Sequence, residues 1–331
     1  MGSKEKDLSI ETLRGFAIVF MVAGHIIGGN LTGMKVAEDS AWRYFYFTFE
    51  YLRMPFFTVI SGYVYSLRPA GNSTIFSFYK GKARRILLPL ISVGTLHFLI
   101  QHFVPGTNTK LPLSGMWKIY LFPYEHFWFL QAIFLIFVII GIFDSLKLMT
   151  TFRNWLIIFL SAVLIRNFFH ELSNDFFSFS RFINLLPFFL LGCGIQRFSN
   201  IFSLKLVNKS ALIVFIISMI IQQYTWFSGI VLNVFEDKLL GLFVACSGII
   251  FFFSIRKNIP FMSKIGYYAF GIYLFHVLGT AGSRILLMSL GVEHHIILFI
   301  VSLIFGLGIP IIIELTFEKS KILRRLFFGM K

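Results

Sequence analysis

The chain has 331 residues, of which 57% are hydrophobic and 14% charged, and its mean hydropathy is +0.79. Soluble domains carry about 25% charged residues, so this chain lacks the polar surface to cover a core in water, and the remaining solvent is lipid. The net charge of +15 suits nucleic acid in principle, but the basic residues are spread over alternate loops without a basic-aromatic pattern, which excludes that partner class. Cys193 and Cys246 both fall in apolar runs, so neither a disulfide framework nor a metal site is expected.

Apolar stretches of spanning length recur near 10–30, 45–67, 85–104, 126–146, 154–170, 181–197, 208–227, 238–255, 265–289 and 295–316. Each is long enough, at ~1.5 Å per residue, to cross a hydrocarbon core of ~30 Å. The expectation is an all-α integral membrane protein, one domain of about ten spans in one bundle. The first run, Leu13 to Ile27, contains Arg14 and His25 and lacks a small-residue cleavage site, so it reads as a retained span and not a signal peptide.

Charge then orients the bundle. With the N-terminus inside, the cytoplasmic loops receive Lys80, Lys82, Arg84 and Arg85, then Arg197 and Lys205, then Arg256 and Lys257, and a basic tail from Lys319. The opposite side receives Lys35, Arg43, Lys110, Lys118 and Lys238, an imbalance of about four to one that the positive-inside rule explains. Both termini are expected in the cytoplasm and the protein in the plasma (inner) membrane.

Ionisable groups inside spans are costly and mark candidate sites. Arg14 and His25 lie eleven residues apart, which places them on one helix face about 16 Å apart along the axis. His25, toward the outer half, can take a proton from a hydroxyl and return it. Arg14, near the cytoplasmic edge, suits either a snorkelling anchor or a partner for phosphate or carboxylate. In the second stretch Glu50 and Arg53 stand at i and i+3, a spacing for pairing, at roughly the depth of His25. Arg166 and His276 reach a similar level, so these five groups predict a shared polar cavity. Pro55 frees a backbone carbonyl, and Ser61-Gly62 allows close approach of a neighbouring helix or a ligand. Lys82, Arg84 and Arg85 open the third stretch and suit either the phosphates of a nucleotide-like donor or an inside anchor. Trp128, at the outer mouth of the fourth stretch, suits an interfacial belt or a stacking platform for a sugar face.

Together these segments resemble the acyltransferase family 3 membrane O-acyltransferases, a family that includes fucose-4-O-acetylase-like proteins and surface-glycan O-acetyltransferases. Ile10-Glu11-Thr12-Leu13-Arg14-Gly15 followed by His25 is similar to the family's opening segment. Met54 to Gly62, Arg84 to Pro89, His126-Phe127-Trp128-Phe129-Leu130 and Ile272-Tyr273-Leu274-Phe275-His276 follow in family order. The resemblance implies acetyl-CoA or another acyl-CoA as cytoplasmic co-substrate, no permanently bound cofactor, and a glycan hydroxyl as acceptor on the outer side. It makes His25 the catalytic histidine with Arg14 its companion. Glu50 is then expected to orient His25, and Arg14, Lys82, Arg84 and Arg85 to hold the donor. Arg53, Ser61, Trp128, Arg166 and His276 are expected on the acceptor side. Two departures stand out: Lys82 replaces the first arginine of an Arg-x-x-Arg pair and loses its bidentate fork, and Arg53 stands where the fucose-type relatives often carry histidine. The length implies the transmembrane module alone. A polytopic transporter of a polar solute is the rival class, and a non-catalytic scaffold for a polysaccharide synthase is a second.

Overall fold

The computed structural model describes residues 7–29, 32–107 and 110–330. Among these residues the chain is all helical, without strands. In chain order the first helices are α1 (Leu8–Ile27), α2 (Ala41–Ser66), α3 (Ile75–Phe103), α4 (Lys118–Leu121) and α5 (Trp128–Ser145). Then come α6 (Phe152–Phe168), α7 (Phe179–Arg197), α8 (Ser199–Phe202), α9 (Lys205–Ser228) and α10 (Val234–Ser254). The chain ends with α11 (Pro260–Tyr267), α12 (Ala269–Ser289), α13 (His295–Phe317) and α14 (Lys321–Phe328).

Eight helical segments have the length and apolar composition to cross a membrane, so the protein is a multi-pass helical membrane protein. The other two long helices that coincide with predicted stretches are α2, which carries Arg43, Glu50 and Arg53, and the 17-residue α6. Helix α9 turns Ile213, Ile217 and Ile220 outward, and α13 does the same with Ile300, Ile304 and Ile312. An apolar outer surface of this kind is what lipid requires.

Two stretches differ from the sequence reading. The third helix begins at Ile75, ten residues before the predicted start at 85, so Lys80 to Arg85 form part of its first turns. Basic side chains are compatible with a helix end because their long stems reach the interface. The ninth stretch is divided at Tyr268 into α11 and α12. Helix α11 lies tightly against α1, where a Cβ on Gly15 would collide with the Met262 carbonyl and one on Gly266 with the Glu11 carbonyl.

A polar clasp ties α2, α5 and α7 together. Arg197 bonds Asp144 through both terminal nitrogens, at 2.7 and 2.6 Å, and its Nε donates to the Ser66 hydroxyl at 3.1 Å. The Tyr65 hydroxyl donates to the same carboxylate at 2.6 Å. Side-chain exposures of 15% for Arg197 and 8% for Asp144 leave little screening by water. Removing one partner strands the other charge, so Arg197→Met is expected to destabilise the bundle by about 3–5 kcal/mol. A thermal melt of the purified protein in detergent would read this as a clear drop in Tm.

Candidate active site

The site is built where α1 ends and α2 begins. Helix α1 stops because Gly28 takes a left-handed φ of 63°, with its N–H closing on Gly24 O. The chain then folds back, Met34 N–H reaching Ile26 O at 2.9 Å, and Gly33 is again left-handed at φ 59°. Two arginines pin this turn. Arg43 donates to Gly28 O at 2.6 Å, and Arg284 of α12 donates to Gly33 O.

Below the turn lies a cavity of about 690 Å³, walled by the C-terminal end of α1, the N-terminal half of α2, the end of α3, the start of α5, and α12. His25 lies on this wall. Its neighbours Gly24, Ile26 and Ile27 are buried, whereas its own imidazole is exposed to the cavity. Glu50, Arg53 and Trp128 share the lining. Among the described residues Glu50 and Arg53 form no ion pair. The Arg53 guanidinium lies instead 3.8 Å from the Tyr46 ring centroid and against Gly24, where any Cβ would strike it. A cation held on an aromatic face beside a histidine keeps its donors available for an anionic group. Trp128 has one face covered by Arg181, 4.7 Å from the ring centroid.

Behind His25 stands a group of imidazoles. The His276 ring centroid is 4.9 Å from that of His25, and His126 is 6.1 Å from His25 and 4.7 Å from His276. His97 is 5.6 Å from His126 and reaches the cavity wall. A short hydrogen-bonded chain fixes the protons around His97. Gln101 Nε2 donates to Glu125 at 2.9 Å, which turns its carbonyl oxygen toward the Tyr124 hydroxyl, 2.7 Å away. Tyr124 spends its proton there, so His97 Nδ1, 2.8 Å from the Tyr124 oxygen, carries the donor hydrogen. Among the described residues no group of His, Cys, Asp or Glu is arranged to hold a metal ion.

His25, Glu50, Arg53 and Trp128, singled out from the sequence, thus meet in one cavity, and His276 packs directly against His25. The others lie elsewhere. Arg14 is paired with Glu11 at 2.8 Å, toward the opposite end of α1. Ser61 donates to Phe57 O at 2.9 Å within its own helix, and the adjacent Gly62 abuts the Phe189 carbonyl of α7. Arg166 donates to Lys238 O at 2.7 Å, away from the cavity lining, tying α6 to α10. Lys82 places Nζ 3.4 Å from the Phe137 centroid, Arg84 Nε donates to Gly329 O at 2.9 Å, and Arg85 is exposed. His97, Gln101, Glu125 and His126 are site residues that the sequence reading did not select. His97 and Gln101 were findable as polar residues inside the third apolar stretch.

A cavity lined by ionisable side chains inside an apolar helical bundle defines a membrane protein with a polar site between its helices. The model of the acyltransferase 3 family, described as an acyltransferase domain, matches residues 7–315, and the chain belongs to this family. Nodulation protein NolL of Mesorhizobium japonicum (strain LMG 29417 / CECT 9101 / MAFF 303099) is 29% identical over 170 residues, covering 49% of this chain and 40% of NolL. The match thus spans well under half of that relative's length. No solved structure matches the chain.

Because Gly24 lies directly under the Arg53 guanidinium, Gly24→Val would push that group off Tyr46. Misplacement of a substrate-positioning group by about 1 Å costs on the order of 100-fold in rate. Acyl transfer by Gly24→Val is expected to fall by that order while the variant still purifies as a monodisperse protein. Transfer at the wild-type rate would show that Arg53 has no part in the reaction.

Proposed function

We propose that this acyltransferase moves an acetyl group from acetyl-CoA to a hydroxyl of a cell-surface glycan or its lipid-linked precursor, with His25 as general base. The observation that carries the reading is the exposed imidazole of His25 on the wall of a cavity of about 690 Å³, shared with Glu50, Arg53 and Trp128. A sugar offers hydroxyls for carboxylate and amide partners and an apolar face for an indole. Glu50, Gln101 and Glu125 together with Trp128 supply that mixture around His25.

In this reading the acceptor hydroxyl gives its proton to His25 while its oxygen forms the new bond to the thioester carbonyl carbon. The carbonyl oxygen takes up negative charge, for which the Arg53 guanidinium is the nearest candidate donor. The C–S bond then breaks, and the proton held by His25 leaves with the CoA thiolate. Glu50 stabilises the charged imidazole across the cavity. Lys82, Arg84 and Arg85, at the other end of the bundle, would attract the phosphates of the donor from the cytoplasm, with Arg14 between them and the cavity. The acceptor would then enter from the outer face of the plasma membrane, with both termini inside.

Free CoA released by the purified protein tests this directly, given acetyl-CoA and the host's surface-glycan precursors. His25→Gln keeps the size and one hydrogen-bonding group but cannot cycle a proton. General-base catalysis contributes about 10²–10⁴-fold, and a loss of that size is expected with the melting temperature unchanged. Full transfer by folded His25→Gln would sink the assignment, and solute flux without CoA release would favour the transporter.

A further inference from the structure

His25 has no carboxylate within hydrogen-bonding distance among the described residues, so something else must set which of its nitrogens faces the acceptor. Its closest aromatic neighbour is His276, which is fully buried, at 0% exposure. His276 Nδ1 lies 2.9 Å from Tyr273 O and 3.2 Å from Ile272 O. Carbonyl oxygens only accept, so Nδ1 carries the hydrogen and Nε2 bears the lone pair. That Nε2 is completely buried and has no hydrogen-bond partner. A buried acceptor without a donor costs about 1–3 kcal/mol, and such a group in a native site calls for an explanation.

We infer that His276 is the positioning residue of His25: its Nε2 accepts the N–H of one His25 nitrogen and so keeps the other nitrogen unprotonated toward the cavity. This rests on the reading of His25 as the base. The ring centroids are 4.9 Å apart, inside the roughly 5.3 Å that two imidazoles span when joined end-on by an N–H···N bond of about 3 Å. The interplanar angle of 50° leaves a rotation of the His25 ring to complete the bond. When His25 takes the acceptor proton, its imidazolium donates to His276 on one side, and no proton need leave the pair until the thiolate collects it. His126 closes the pocket from behind, 4.7 Å from His276 by ring centroids, and is itself held by a hydrogen bond with the Leu274 backbone. The Tyr273 hydroxyl donates to His126 O at 2.5 Å. One stretch of α12 therefore sets both rings.

The test compares two amides at one position. In His276→Gln the amide reaches the place of Nε2 and can still accept from His25. In His276→Asn the amide occupies the place of Nδ1 and keeps only the bond to Tyr273 O. If His276 positions the base, kcat of the Asn variant falls at least about 100-fold, with KM for both substrates little changed, while the Gln variant stays within about tenfold of wild type. A purely structural histidine gives the reverse order, with Asn rescuing and Gln failing, and that result, or two variants at the wild-type rate, overturns the inference. His25→Ala is run beside them: if it transfers normally, the base assignment itself has failed, which is a separate outcome. Proton-coupled spectra of the wild-type protein with nitrogen-15 histidine give a second readout that needs no folded variant. His276 must show the hydrogen on Nδ1 and an unprotonated, hydrogen-bonded Nε2; a hydrogen on Nε2, or an Nε2 free of any hydrogen bond, contradicts the proposal.

Discussion

The architecture around the cavity follows from the need to hold a polar imidazole inside an apolar helical bundle. Hydrocarbon cannot satisfy backbone or side-chain polar groups, so an unregulated opening beside His25 would cost several kcal/mol for each exposed backbone group. The fold solves this by ending α1 within a turn of His25 and folding the chain back over it. The left-handed Gly28 and Gly33 make the reversal, and Arg43 and Arg284 satisfy its carbonyls. These two arginines hold the turn at the rim, whereas Arg53 lies on the cavity wall between Tyr46 and Gly24.

The opposite end of the bundle is organised differently. Lys82 sits on the faces of Phe137 and Phe78, and Arg84 holds the Gly329 carbonyl just beyond α14. The Ser92 hydroxyl donates to Leu326 O at 2.7 Å, so the C-terminal helix is strapped along α3. Phe327 and Phe328 pack with Phe275 of α12, one residue before His276. The helix that carries His276 is thus braced from the end where the basic cluster lies. Helices α3 and α12, which hold the C-terminal segment, also wall the cavity.

Much of this was legible in the sequence, for a physical reason. Lipid leaves few places for an ionisable residue, so His25, Glu50, Arg53 and His276 stood out against their apolar runs, and helical spacing put them at one depth. The all-α membrane fold followed from composition alone. What could not be read was pairing across helices. Glu50 and Arg53 have the spacing of an ion pair, yet Tyr46, about two turns before Arg53 on the same helix, offers its ring face and Gly24 offers a groove, so the guanidinium goes there. Arg166 has the depth of a site residue, but α10 presents the Lys238 carbonyl and captures it. Ser61-Gly62 admitted either a ligand or a helix, and α7 occupies that face, with Gly192 meeting the Val59 carbonyl in return. His126 stands in a segment that resembles the family, but its packing against His276 depends on how α12 meets the start of α5, which the segment alone does not carry.

The most direct measurement is an experimental structure of the protein with a non-transferable acyl-CoA analogue and a glycan acceptor bound together. The account requires the acyl carbonyl carbon and an acceptor hydroxyl to meet in the cavity, with the hydroxyl within about 3.5 Å of a His25 ring nitrogen. An acyl group resting at another level of the bundle, such as beside the Arg14–Glu11 pair, with His25 out of reach of both ligands, would contradict it.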